Sequence, residues 1–200
     1  MYEFPAGQAP CVPGGAGDQA AGRRAVLRAL AALTLGAGLA HPAAQARTPG
    51  EVGVGETLRD APLRGLNGPA RQLSHYFGKP LVINVWASWC GPCRQEMASL
   101  ERLAWREPLG QFTVIGVSTD DDPEAARRWL ERSNATINHY IDSRLMLENM
   151  LGASQLPLTV LVDAHGTVLD KTYGARQWDD PASLALLQRT LGPPSTARRP

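Results

Sequence analysis

The sequence predicts an α/β domain built on a parallel strand–helix–strand unit, followed by an antiparallel hairpin and a closing helix. Three observations lead to it. Leu81-Val82-Ile83-Asn84-Val85-Trp86 and Phe112-Thr113-Val114-Ile115-Gly116-Val117-Ser118 are apolar, β-branched runs of strand length. The stretch 93–106 between them has helical character, and a helix joining two strands favours parallel pairing. Two thiols spaced as Cys90-Gly91-Pro92-Cys93 lie where the first run ends and the helix begins.

The elements follow in order. Residues 1–46 read as an export leader. Arg23 and Arg24 precede an Ala/Leu stretch, 25–40, broken by Arg28, and Ala44-Gln45-Ala46 is a small-residue cleavage pattern. Arg23-Arg24-Ala25-Val26-Leu27-Arg28 also loosely resembles a twin-arginine signal, so both export routes fit. The apolar run is shorter than the roughly 20 residues of a spanning helix, which makes cleavage the first expectation and an uncleaved anchor the alternative. Residues 47–57 read as a polar lead-in. Within 58–73, Pro62, Gly65 and Asn67-Gly68-Pro69 separate short apolar groups, as in a small hairpin. A short helix or turn over 73–77 follows, with Ser74 as its cap.

After the strands at 81–86 and 112–118, Asp122 is placed to cap a helix over 123–133 with Pro123 in its first turn. A short strand spans 137–141, and a helix over 144–151 ends at Gly152. Strands 158–162 and 167–173 flank the turn Asp163-Ala164-His165-Gly166. Helix 181–191 closes the domain, which spans 58–191, and 192–200 is a Pro-rich tail.

Composition narrows the chemistry. The chain has 200 residues, 44% of them hydrophobic, enough for a real core. Past residue 46 it carries 17 basic and 17 acidic residues, so nothing suggests a nucleic-acid partner. Of the three cysteines, Cys11 lies in the leader. An exported chain left with one C-x-x-C pair is poorly suited to a structural framework. A bridge across so short a loop removes little chain entropy. A zinc site needs four ligands, and the sequence has no second C-x-x-C and no H-x3-H cluster. Reversible thiol–disulfide exchange is the remaining use. Cys90, at the mouth of the helix, is the attacking thiol, and Cys93, one turn on, resolves the mixed disulfide.

The order strand, Trp89-Cys90-Gly91-Pro92-Cys93, helix, strand, later Pro157, hairpin and final helix resembles the thioredoxin fold. The segment Asn84-Val85-Trp86-Ala87-Ser88-Trp89-Cys90-Gly91-Pro92-Cys93-Arg94-Gln95-Glu96-Met97 is more narrowly similar to exported thiol–disulfide oxidoreductases of the TlpA/ResA group. Asn84 stands where cytosolic thioredoxins carry a buried Asp. Glu96 matches a Glu of this group, and the extra helix and strand at about 123–141 match its central insertion.

The resemblance implies a cis peptide bond before Pro157, with the Leu156 backbone offered to an extended client peptide. It implies that Glu96 exchanges a proton with Cys93, against the plainer reading of a helix-dipole carboxylate. Trp89, Gly91 and Pro92 would flank the client, and Trp86 is assigned to the core. Gly91-Pro92 is the dipeptide of reducing thioredoxins. The acidic run 120–122 reads as a solvated helix cap, and His75, His139 and His165 are assigned to no metal. No cofactor is expected.

These readings imply an enzyme of the periplasm, a monomer that reduces disulfides of exported cysteine-containing proteins, for example in cytochrome c maturation. A membrane thiol protein would donate its electrons. A net oxidant or isomerase of the same fold is the alternative. A copper-carrying module is disfavoured by the two-residue spacing, and a peroxidase by Trp89 preceding Cys90.

Overall fold

A computed structural model describes residues 48–106 and 111–192. The leader, Cys11 and the tail beyond Gly192 lie outside the described residues. The sheet has seven strands: β1 (Pro62–Gly65), β2 (Arg71–Gln72), β3 (Leu81–Trp86), β4 (Thr113–Ser118), β5 (Asn138–Ile141), β6 (Leu158–Val162) and β7 (Val168–Tyr173). Their spatial order is β2-β1-β5-β4-β3-β6-β7. Strand β3 is central, parallel to β4 and antiparallel to β6. Strands β6 and β7 form the expected antiparallel hairpin, as do β1 and β2.

All six β3 residues are buried, which explains why the strand reads as an unbroken apolar run rather than an alternating one. Its side chains divide between two cores by the strand period of two. Leu81, Ile83 and Val85 join Ile115, Val117 and Val160 on one face. Val82 and Trp86 join Leu161 on the other, against α1 (Gly91–Arg106), α2 (Pro123–Ser133) and α4 (Pro181–Leu191). The first face is closed by a 3-10 turn (Leu73–Tyr76) and by α3 (Met146–Leu151). Each large apolar side chain so buried contributes about 1.5–3 kcal/mol.

Local signals explain most boundaries. Asp122 accepts the Glu124 N–H at 2.9 Å and Pro123 opens α2, as expected. That helix ends at Asn134 in the left-handed region, φ 53°, which Asn tolerates better than most residues. Helix α3 begins at Met146 rather than 144, because Leu145 sits at φ 54° and cannot extend it. The Asp142 carboxylate instead receives the N–H groups of Met146 and Glu148. Ser74 is not a cap. It lies inside the 3-10 turn, where its N–H and hydroxyl both donate to Asp60. Strands β4, β5 and β7 each begin one residue later than their patterns suggest.

The lead-in is part of the domain. Val52 is buried in the first core and its N–H donates to Met150 O at 2.8 Å. Residues 55–58 run beside the start of β7: Gly55 N–H donates to Val168 O, Val168 N–H to Glu56 O, and Leu58 N–H to Gly166 O. The apolar Val52 was hidden in a segment dominated by glycine and charge.

Gly116 lies opposite His139 in the β4–β5 register. A Cβ there would fall 2.0 Å from His139 Nδ1, and the imidazole is itself packed 5.4 Å from the Trp86 ring. Gly116→Ala is expected to destabilise the domain by about 1–3 kcal/mol through overpacking. The urea unfolding midpoint measures this, and an unchanged midpoint would show that the imidazole can move aside.

Candidate functional site

Strand β3 delivers the chain to the site and α1 leads it away. After Trp86, the Ala87–Cys90 turn is closed by the Cys90 N–H on Ala87 O, 3.1 Å. Helix α1 starts at Gly91, two residues earlier than 93, so Cys90 immediately precedes it and Cys93 lies in its first turn. Cys90 and Cys93 form a disulfide. The Cys93 N–H points at Cys90 Sγ, 3.2 Å away, and the Arg94 N–H at Cys90 O, 3.2 Å. These helix-start N–H groups lower the energy of a thiolate at Cys90 once the bridge opens. Cys90 is 6% exposed and Cys93 1%, so a partner reaches Cys90 first.

The turn is anchored from β4. Asp120 accepts the Ser88 N–H at 2.8 Å and the Ser88 hydroxyl at 2.7 Å, and also the Ser118 hydroxyl at 2.7 Å. Asp120 is buried, so the acidic run is not uniformly solvated. Asp122 caps α2, Asp121 faces solvent, and Asp120 braces the redox turn. A free carboxylate there would be costly to bury. Three donors, one of them a backbone N–H, make it tolerable.

Trp89 is 70% exposed beside Cys90. With Cys90, Gly91, Pro92 and Leu156 it lines a groove of about 540 Å³, whose rim also carries Asp121, Leu145 and Glu148. The Leu156–Pro157 bond is cis. Trp86 is fully buried against Trp129 and His139, as its assignment to the core requires. A cavity of about 410 Å³ lined by Arg64, Ser143, Arg144 and Met146 has neither Cys90 nor Cys93 on its walls. Among the described residues, no group of three or more His, Cys, Asp or Glu is placed to hold a metal.

Glu96, one turn beyond Cys93, is 1% exposed. Its Oε1 accepts the indole N–H of Trp178 and the Thr159 hydroxyl, the latter at 3.2 Å. The Asn84 amide in turn donates to Thr159 Oγ1 at 3.0 Å. Oε2 is buried with no hydrogen-bond partner among the described residues. Burial raises the carboxyl from its ordinary 4.5 to about 7. The Trp178 and Thr159 donors and the Arg176 charge pull the other way without offsetting it. A group near neutrality is suited to exchanging a proton.

Sequence reasoning missed Trp178, Thr159, Ser88 and Asp120. Thr159 carried a usable signal, since it lies two residues past Pro157 on the same strand face and pairs in register with Asn84. Trp178, in the loop before α4, had none.

Residues 53–187 match the family model described as Redoxin. The chain is 30% identical over 129 residues to the thiol-disulfide oxidoreductase ResA of Geobacillus kaustophilus, covering 64% of this chain and 74% of that one. It is 32% identical over 133 residues to the thiol:disulfide interchange protein DsbE of Vibrio cholerae, covering 64% and 70%. A crystal structure from Chlorobium tepidum, of a candidate DsbE, superposes with a TM-score of 0.65 at 27% identity, covering 71% of this chain and all of that one. The fold is thioredoxin-like.

Between pH 4.5 and about 7, folded Glu96 keeps a proton that the unfolded chain has lost. Stability therefore falls as pH rises through that window, by on the order of 3 kcal/mol. Glu96→Gln has no such titration. Urea unfolding across the window is expected to show the variant gaining on the wild type as pH rises, and parallel curves would refute the assignment.

Proposed function

We propose, from the premise that the chain belongs to the Redoxin family and is a thiol–disulfide oxidoreductase, that it works outside the cytoplasm and reduces disulfides of exported cysteine-containing proteins. The observation that carries the reading is the disulfide at the start of α1, with the Cys93 N–H aimed at the sulfur of the more exposed cysteine, Cys90.

In the reduced enzyme the Cys90 thiolate attacks one sulfur of a client disulfide. A Cys90–client bond forms, the client's own S–S bond breaks, and its second sulfur leaves as a thiolate that takes a proton. Cys93 then gives its proton to the Glu96 carboxylate and attacks Cys90 Sγ. The Cys90–Cys93 bond forms, the Cys90–client bond breaks, the freed client thiolate takes the proton that Glu96 received, and the client departs as a dithiol, two electrons richer. The oxidised enzyme is returned to the dithiol by a second thiol protein, which the reading places in the membrane.

Client docking follows from the groove. An extended peptide lies along the Leu156 backbone before the cis-proline, flanked by Trp89, Gly91 and Pro92, with its disulfide over Cys90. Apocytochromes c, whose cysteine pair must be reduced before haem attachment, have suitable chemistry. The names of the ResA and DsbE relatives support thiol exchange, the Gly91-Pro92 dipeptide supports the reducing direction, and the basic–apolar leader pattern supports export. Among the described residues, no helix is long and apolar enough to cross a membrane.

Two measurements test this. A reduction potential of about −270 mV is expected of a reductant, whereas about −120 mV would make the protein an oxidant. Cys93→Ala is expected to trap exported cysteine-bearing proteins on Cys90 in vivo as mixed disulfides, and the added change Cys90→Ala to abolish them. Recovery of no adducts from the single variant would overturn the assigned roles.

A further inference from the structure

The loop between β7 and α4 is tied to α1 at Ser99, nearly two turns beyond Cys93. The Trp178 backbone N–H donates to Ser99 Oγ at 3.0 Å, and that hydroxyl lies 2.7 Å from Glu96 O and 3.3 Å from Arg176 O. The Arg176 guanidinium sits 5.6 Å from the Trp178 ring centroid, and Arg102 pairs with Asp179 at 2.6 Å. The result is a fully buried indole whose one N–H ends on Glu96 Oε1.

That contact is not a by-product of burying a tryptophan. Trp86 is equally buried in the same core, and its N–H has no partner among the described residues. An indole N–H can only donate. Aimed at a carboxyl, it favours the ionised form, the form that accepts a proton.

We infer that Trp178 is a positioning residue for thiol–disulfide exchange: its indole N–H fixes the Glu96 carboxyl at the Cys93 end of α1 and keeps it able to receive the Cys93 proton. This rests on the reading of Glu96 as that proton acceptor. Burial acts against the donor, and the carboxyl stands near 7 with it in place. Without the donor, Glu96 stays protonated at neutral pH and Cys93 loses its base. Arg176, from the same loop, is the charged group that acts in the same direction, while β3 and β6 present the uncharged Asn84 and Thr159. On α1 itself, the titratable neighbour one turn back is Cys93.

The test compares Trp178→Phe with a site-specific benzothienylalanine at 178, which keeps the bicyclic ring and replaces only the N–H by sulfur. Each is made alone and with Glu96→Gln. Insulin reduction is followed across neutral pH, and the Glu96 carboxyl is followed by carbon-13 NMR in the variants that retain it. Both Trp178 changes are expected to raise the midpoint of the pH–rate profile, and the NMR midpoint of Glu96, by about one pH unit or more. In the Glu96→Gln background neither should move the profile. If Trp178→Phe does not fold, the sulfur analogue carries the test. A profile moved by Glu96→Gln but not by the analogue overturns the role of Trp178, as does an equal shift in the Glu96→Gln background. A profile indifferent to Glu96→Gln overturns the proton-acceptor reading instead, and the NMR midpoint still reports whether the indole governs the carboxyl.

Discussion

The Cys93 N–H at the start of α1 points at the Cys90 sulfur, and the rest of the domain serves to keep it there. A sulfur at a helix start is chemically useful only if turn, helix and approach path hold a fixed relation. Strand β3 supplies the rigid base, buried on both faces and bonded on both sides. Asp120 clamps the turn through Ser88, so Cys90 is located by a neighbouring strand as well as by its own. The strand that follows the cis-proline lies against β3 from the other side. Every part of the site is therefore referred to one strand.

The second sulfur raises a different problem. Cys93 is buried, and in the proposed exchange a buried thiol that becomes a nucleophile needs somewhere to send its proton. Glu96 lies one turn along in a setting where desolvation and hydrogen bonding oppose each other. Desolvation alone would leave the carboxyl permanently neutral, and full satisfaction of both oxygens would leave it permanently charged. One oxygen bonded and the other bare brings it close to neutrality. Asn84 contributes an amide through Thr159 and so adds no second carboxylate to this pocket.

The parts legible in the sequence are those written in local periodicity and short-range spacing. Strand β3, the two hairpins, the α2 cap at Asp122 and the turn ending at Gly166 all announce themselves within a few residues. The start of α3 did not, because its cap, Asp142, lies beyond a left-handed leucine that no propensity favours. The thiol pair was plain from its motif, and the surroundings of Glu96 were not. Thr159 and Trp178 reach it from 63 and 82 residues away, a meeting that depends on how β6 and the loop before α4 pack against α1. Asp120 was misread for a related reason. Beside Asp121 and Asp122 it looks like surface charge, and only its contact with Ser88, 32 residues earlier, shows it to be interior.

Strand β7 is the last strand on its side of the sheet, and such a strand ordinarily offers unpaired amides and carbonyls as a template for another molecule. Here residues 55–58 pair with its first residue, Val168, and with Gly166 and Thr167 just before it. The chain thus shields the start of its own margin with its own backbone. Under the proposed docking of an extended client this matters particularly, because stray strand addition at the wrong border would compete with clients and seed aggregates.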